Sequence, residues 1–282
     1  MSGWPESTPL RVAEGAARAG GQVLLRHASD ADLRVAYKDS RANLVTIADI
    51  ESQRTVTEVI GAAFPGHSVI GEEGTVGDED AEDAWYVDPL DGTTNYAHGL
   101  PFFCVSVALR TGGPGPAGIT VAGAVYDPLR DDMYSAARHQ GAFQNGSSLR
   151  VSPATRLHQS LVVAQAQSVD DGEIRAYAAL VDQLMRVAGG VRSLGSPALA
   201  LCAIAAGRLE AYCEYAMDPW DILAGQLILQ EAGGRLTRFD GGPHDTVGRA
   251  DVVATNGHVH DELLAALAAL PAPPSRPPEV PS

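Results

Sequence analysis

The apolar positions Ile47, Ile50, Val56, Val59, Ile60 and Phe64 recur at roughly helical spacing, which predicts a helix over residues 46–64. Residues 10–27 read the same way, although Gly20-Gly21 inside the pattern weaken the intrinsic helical preference. Residues 1–9 are expected to be loose. The pattern then changes to short apolar runs that predict strands at 67–71, 84–88, 102–110 and 118–127, with the connector TGGPGPAG over 111–118. A further strand pair is expected at 133–136 and 142–143, with Gly141 and Asn145-Gly146 as turns. After residue 150 strands and helices alternate: strands at 161–166, 191–194, 210–215 and 251–256, helices at 172–188, 196–207, 219–232 and 260–270. A meander followed by alternation is an α+β half followed by an α/β half, stacked in layers, with a boundary near residue 150. The division is therefore 1–150, 151–270 and a tail, 271–282, which is half proline and is expected to be disordered.

Composition narrows the class. The 282 residues, 45% of them hydrophobic, are enough for a sizeable core. No apolar run approaches the roughly 18 residues of a membrane span, and the N-terminus lacks the basic-then-apolar order of a secretory signal. A cytoplasmic location is expected. Cys104, Cys202 and Cys213 lack metal-like spacing and sit among apolar residues, as reduced buried thiols do. A net charge of −15 argues against a nucleic-acid partner, whose phosphates it would repel. An anionic substrate would meet the same field unless some of these acids hold cations that invert the local sign.

Four acidic clusters stand at the ends of predicted elements. Asp49, in Thr46-Ile47-Ala48-Asp49, could be no more than the reciprocal half of a helix cap. Glu72-Glu73 could be the start of a solvated acidic loop. Asp88 and Asp91 flank Pro89-Leu90, where a surface turn is the ordinary reading. Asp221 follows Asp218-Pro219, a common way to start a helix. Together they point elsewhere. Strand ends and helix starts are where α/β folds build sites. Carboxylates that converge there repel one another, and oxygen-only ligands select a hard divalent cation such as Mg²⁺. The following Gly92-Thr93-Thr94 can open a helix whose free N–H groups bind an anion. A cation cluster beside an anion-binding helix start is a phosphoester site.

The set GEE at 71–73, DPLDGTTN at 88–95, WDILAG at 220–225 and EAGG at 231–234 resembles the inositol monophosphatase family, Mg²⁺-dependent and lithium-sensitive phosphomonoesterases. The motifs occur in family order, and the likeness runs from about Lys38 to Asn256, including GAFQNG at 141–146 and RSLGSPAL at 192–199. The resemblance implies a layered αβαβα sandwich, a homodimer, and two to three Mg²⁺ per site. It implies that Glu72, Asp88 and the Leu90 carbonyl hold one cation, that Asp88, Asp91 and Asp221 hold a second, and that Glu72 reaches a third through water. Gly92 and Thr93 match the phosphate-binding backbone, and Asp49 with Thr93 the pair that activates water. Glu214 matches a carboxylate that contacts substrate hydroxyls, and Ser196 and Ala198 would line the same pocket. Glu73 is expected to support rather than ligate. Pro197 and Asp218 depart from the family pattern on the leaving-group side and bear on substrate choice.

The expected activity is hydrolysis of a polyol or sugar monophosphate such as inositol 1-phosphate by water attacking in line, without a covalent intermediate. The same chemistry on histidinol phosphate, fructose 1,6-bisphosphate, an aminocyclitol phosphate or a phosphorylated nucleotide is the alternative. A non-catalytic Mg²⁺-binding subunit is a third reading, disfavoured because every ligand position is filled. His67, His98, His139 and His244 are assigned no role and are expected to face solvent.

Overall fold

The computed structural model describes residues 7–28, 36–37, 44–166, 170–244 and 247–270. The chain opens with helix α1 (Ser7–His27), the short strands β1 (Ala36–Tyr37) and β2 (Leu44–Val45), and helix α2 (Ile47–Ala63). Strands β3 (Ser68–Gly71), β4 (Gly74–Val76) and β5 (Asp83–Asp91) follow, then the five-residue helix α3 (Thr93–Ala97). Next come β6 (Cys104–Thr111), β7 (Ile119–Asp127), β8 (Asp132–Ala137), β9 (Ala142–Gln144) and β10 (Ser147–Ser148). A 3₁₀ turn at Leu157–Gln159 leads into β11 (Leu161–Gln165), α4 (Asp171–Val187), β12 (Gly190–Arg192), α5 (Pro197–Ala205), β13 (Ala211–Met217), α6 (Pro219–Glu231), β14 (Arg235–Thr237), β15 (Ala250–Thr255) and α7 (His260–Leu267).

Two sheets carry the fold. One has eight strands in the order β10-β9-β8-β7-β6-β5-β3-β4, antiparallel except for the β3–β5 pair. The other has five, β12-β11-β13-β15-β14, with β11 parallel to both its neighbours and the β15 pairings antiparallel. Alternation along the strands separates three apolar layers. Trp85 and Val87 of β5 pack against α1 and α2, whereas Ala84 and Tyr86 face α5 and α6. Val252 and Ala254 of β15 cover the other side of α5 and α6, and Val253 turns outward to Leu180, Leu184 and Leu263 of α4 and α7. The order α1/α2, sheet, α5/α6, sheet, α4/α7 is the αβαβα sandwich.

Several expectations shift at element ends. Helix α1 begins at Ser7, so residues 7–9 belong to it, while the tail expected to be disordered lies outside the described residues. Gly20 and Gly21 do not weaken α1 idly. A Cβ on Gly20 would meet Ser52 Oγ at 2.8 Å and one on Gly21 would meet the Tyr126 ring at 2.5 Å, so the helix lies closer to α2 and the sheet than any side chain permits. The acidic loop after Glu73 contains β4: Glu72-Glu73 are the two-residue turn of a hairpin whose ends pair Gly71 with Gly74. His98 and His139 are exposed, but His67 and His244 are turned inward, His244 to 8% exposure. All three cysteines are free and buried.

Candidate active site

Asp88 and Asp91 end β5 across a bulge. In a regular strand positions three apart face opposite sides, yet Asp88 pairs with Ser106 and Asp91 with Cys104, two residues apart on β6. The extra residue on β5 puts both acids on the side that faces α5 and α6. Pro89, which has no N–H to give a ladder, sits within the bulge, and its carbonyl accepts the Ser52 hydroxyl of α2 at 2.9 Å. Neighbouring elements deliver the remaining acids. The Glu72 amide donates to Val87 O at 3.2 Å, so the β3–β4 turn lies beside the end of β5. Ser106 Oγ donates to Trp220 O at 3.0 Å, which brings the start of α6, and Asp221 in its first turn, next to Asp88.

Burial and mutual repulsion govern these groups. Asp88 and Asp91 are 2% and 3% exposed. Burial holds the Asp88 carboxyl well above its ordinary range, helped by the charges of Glu72, Asp91 and Asp221. Asp221 is raised for the same reason, with Glu72, Asp218 and Asp91 adding to it. Asp91 is pushed up to about 7 by burial, against the lowering effect of hydrogen bonds from Ser196, Ala198 and Cys104. Among the described residues, no three of these side chains are gathered as tightly as a closed cation cage. They share a strongly negative field rather than a common point.

Asp49 performs two tasks at once. Its Oδ2 accepts the Thr46 amide at 2.8 Å and the Thr46 hydroxyl at 2.5 Å, completing the helix cap that its position suggests. Its Oδ1 accepts the Thr93 hydroxyl at 3.1 Å. Leu90 O lies 3.0 Å from the same hydroxyl, which has one proton for two acceptors. Thr93 therefore bonds across the site and caps no backbone N–H. Burial raises Asp49 to about 6, and the Thr46 bonds oppose that rise. Gly92 precedes α3 at φ 98°, where an added Cβ would lie 3.0 Å from Phe102 O. Only glycine fits this turn.

Glu214 on β13 is 1% exposed and accepts the Tyr212 hydroxyl, and burial carries its carboxyl up to about 8. It lines a small cleft together with Ala166, Glu173, Tyr215, Met217, Asp218, Asp221 and Arg249. Ser196 and Ala198 are not on that wall. Both are fully buried, and the Ser196 hydroxyl and Ala198 amide donate to Asp91 Oδ2 at 2.6 and 2.8 Å. In the described structure the polar groups of both face a carboxylate. Pro197 between them is the first residue of α5, and Asp218 is the N-cap of α6.

The contacts of Cys104 and Asn95 escape a reading of spacing. Cys104 Sγ lies 3.5 Å from Asp91 Oδ2. The Asn95 amide donates to Phe102 O and Leu194 O, both at 2.8 Å, tying α3 to the loop before α5. Tyr212 could have been found, since alternation in Ala211–Tyr215 places it on the same face as Glu214.

The pattern that defines the inositol monophosphatase family matches residues 6–271, nearly the whole chain. The chain belongs to the inositol monophosphatase family. It is 34% identical over 261 residues to the inositol-1-monophosphatase of Caulobacter vibrioides, covering 92% of this chain and 97% of that one. It is 38% identical over 264 residues to a putative Nus factor SuhB of Neisseria meningitidis, covering 92% and 98%. Among solved structures, the inositol monophosphatase of Anabaena (Nostoc) superposes with a TM-score of 0.82 at 37% identity, covering 94% of this chain and 97% of that chain. This inositol monophosphatase family member is a phosphoric monoester hydrolase, of a family that works with divalent metal. Among the described residues no helix is long and apolar enough to cross a membrane.

Proposed function

We propose that the chain is a Mg²⁺-dependent phosphatase of a polyol or sugar monophosphate, of which inositol 1-phosphate is the reference. The observation that carries this reading is the meeting of the bulged end of β5, the β3–β4 turn and the start of α6, which brings Asp88, Asp91, Glu72 and Asp221 to one place. Such an all-oxygen donor set suits a hard divalent cation. Glu72, Asp88 and the Leu90 carbonyl would hold one Mg²⁺, Asp88, Asp91 and Asp221 a second, and Glu72 a third through water. Bound there, the ions would supply electrophilic activation of the phosphoryl group and a more acidic water.

The protein's own groups do the rest. Thr93 Oγ1 gives its proton to Asp49 or to Leu90 O and keeps its lone pairs open to accept one from a water. Asp49, raised to about 6, is a better proton acceptor near neutral pH than an ordinary aspartate. The water so held attacks phosphorus in line with the leaving oxygen. The backbone at Gly92 and Thr93 receives the phosphate, and Glu214 receives hydroxyls of the leaving group.

The cleft also separates candidate substrates. Glu173 and Asp218 set two carboxylates on its wall, beside Glu214 and Asp221 whose carboxyls burial raises, against Arg249, whose guanidinium reaches Ala216 O at 2.6 Å and Asp218 at 3.8 Å. A neutral polyhydroxyl leaving group suits this wall, and one bearing a second phosphate does not. A homodimer and lithium sensitivity are what the family resemblance implies.

The test is an assay of the purified protein on inositol 1-phosphate, fructose 1,6-bisphosphate and other phosphate esters. Activity is expected to disappear with chelator, return with Mg²⁺, fall with millimolar-range lithium and favour the monophosphate. Full activity in excess chelator would overturn the reading.

A further inference from the structure

Ser196 lies between β12 and α5, in the second half of the chain, and is fully buried. Its hydroxyl donates to Asp91 Oδ2 at 2.6 Å, an oxygen that also takes the Ala198 amide at 2.8 Å and the Cys104 thiol at 3.5 Å. Asp91 Oδ1 takes none of these three bonds. The loop that carries Ser196 is itself fastened. Leu194 O accepts the Asn95 amide at 2.8 Å, and the Gly195 amide donates to Gln165 Oε1 at 3.0 Å. Gly195 has φ 77°, and a Cβ there would come within 2.9 Å of Asn95 Nδ2, so the strap is pressed onto α3. Helix α5 therefore offers its first turn to an acid on β5 at a fixed position.

A carboxylate rotates freely about its last torsion unless one oxygen is anchored. Anchoring Oδ2 on three donors sets the direction in which Oδ1 points. We propose that Ser196, with the Ala198 amide, is a positioning residue for cation binding, holding Asp91 by Oδ2 so that Oδ1 is the oxygen offered to the metal. The inference rests on the phosphatase reading above, in which Asp91 is a Mg²⁺ ligand. It gives the second half of the chain a part in metal binding distinct from that of Asp221: a β5 ligand is oriented only while α5 is docked against it. Loss of such an outer partner typically costs about 10–100-fold in metal affinity.

The experiment measures Mg²⁺ binding to the intact protein by calorimetry, without substrate, beside steady-state kinetics at saturating Mg²⁺. Ser196→Ala is expected to raise the Mg²⁺ dissociation constant about 10–100-fold while leaving KM for the monophosphate little changed. Ser196→Thr, which keeps the hydroxyl, is expected to restore binding. Ser196→Cys supplies a weak donor of similar size and is expected to fall between them, so the series still decides if the alanine variant does not fold. Asp91→Asn is the reference variant. If it weakens Mg²⁺ binding while Ser196→Ala and Ser196→Cys bind as the unmodified protein does, the positioning role is overturned and the metal assignment stands. A raised KM with unchanged Mg²⁺ affinity in Ser196→Ala would place Ser196 on the substrate and also overturn it. If Asp91→Asn binds Mg²⁺ normally, the assignment of Asp91 as a ligand has failed.

Discussion

The Thr93 hydroxyl is the smallest feature on which the proposed chemistry turns. A threonine that only capped a helix would contribute typically ~1 kcal/mol of stability and nothing to rate. Thr93 instead spends its proton on Asp49 Oδ1 or Leu90 O, across the gap between α2 and β5. General-base assistance is commonly worth about 10²–10⁴-fold, so Thr93→Ala is expected to fold, bind Mg²⁺ and lose kcat by about that factor. Asp49→Asn is expected to lose a similar factor. In the proposed relay the two act as a unit, so the double variant should be little worse than either single one, which steady-state rates of all three will test. Losses that multiply would mean that the residues act separately. A Thr93→Ala enzyme with normal kcat would remove Thr93 from the mechanism.

At the scale of elements, the site depends on one irregularity: the β5 bulge, without which Asp88 and Asp91 would face opposite sides of the sheet. A second element junction gives a pH prediction remote from the site. His260 opens α7, is fully buried, and lies between Thr237 of β14 at 3.0 Å and Thr255 of β15 at 2.9 Å. Thr237 Oγ1 already donates to Arg238 O and Thr255 Oγ1 already accepts the Gly257 amide. The network therefore assigns a neutral ring with its proton on Nε2, donated to Thr237, and Nδ1 accepting from Thr255. Burial, with the nearby Arg235 charge, lowers the ring to about 4. Between an ordinary value of 6.5 and about 4 the unfolded chain binds a proton that the folded chain does not. Stability is therefore expected to fall as pH drops through that window, by at most ~1.4 kcal/mol per pH unit from this group. Denaturant midpoints of the unmodified protein and of His260→Gln, measured from pH 7 to 4.5, should diverge, the unmodified protein losing stability relative to the variant as pH falls. Parallel profiles would exclude His260 as the cause.

The whole molecule carries a net charge of −15 and is read as acting on an anion. Its long-range field opposes substrate arrival, and the opposition grows with substrate charge. Salt screens that field over about 10 Å at 0.1 M. Raising ionic strength at saturating Mg²⁺ is therefore expected to increase kcat/KM, and to do so more for a bisphosphate than for a monophosphate. A decrease for both would mean that bound cations reverse the field well beyond the site.

The motifs, the order of elements and the layered class were legible in the chain because they rest on local periodicity and on residue types whose chemistry is narrow. GEE, DPLDGTTN and WDILAG announced the acids, and the switch from meander to alternation announced two halves stacked in layers. Packing alone decided what each group touches. Ser196 and Ala198 read as pocket residues from their motif, yet the docking of α5 against β5 turns both onto Asp91. Gly20 and Gly21 read as weak points in a helix, but they allow close approach to Ser52 and Tyr126, more than thirty positions away along the chain. Strand β4 escaped notice because its three residues, Gly74-Thr75-Val76, are too few to show apolar alternation, and its pairing with β3 comes from the turn at Glu72-Glu73. Local sequence sets which groups are available, and long-range packing selects their partners, because partners so far apart in sequence leave no local pattern to read.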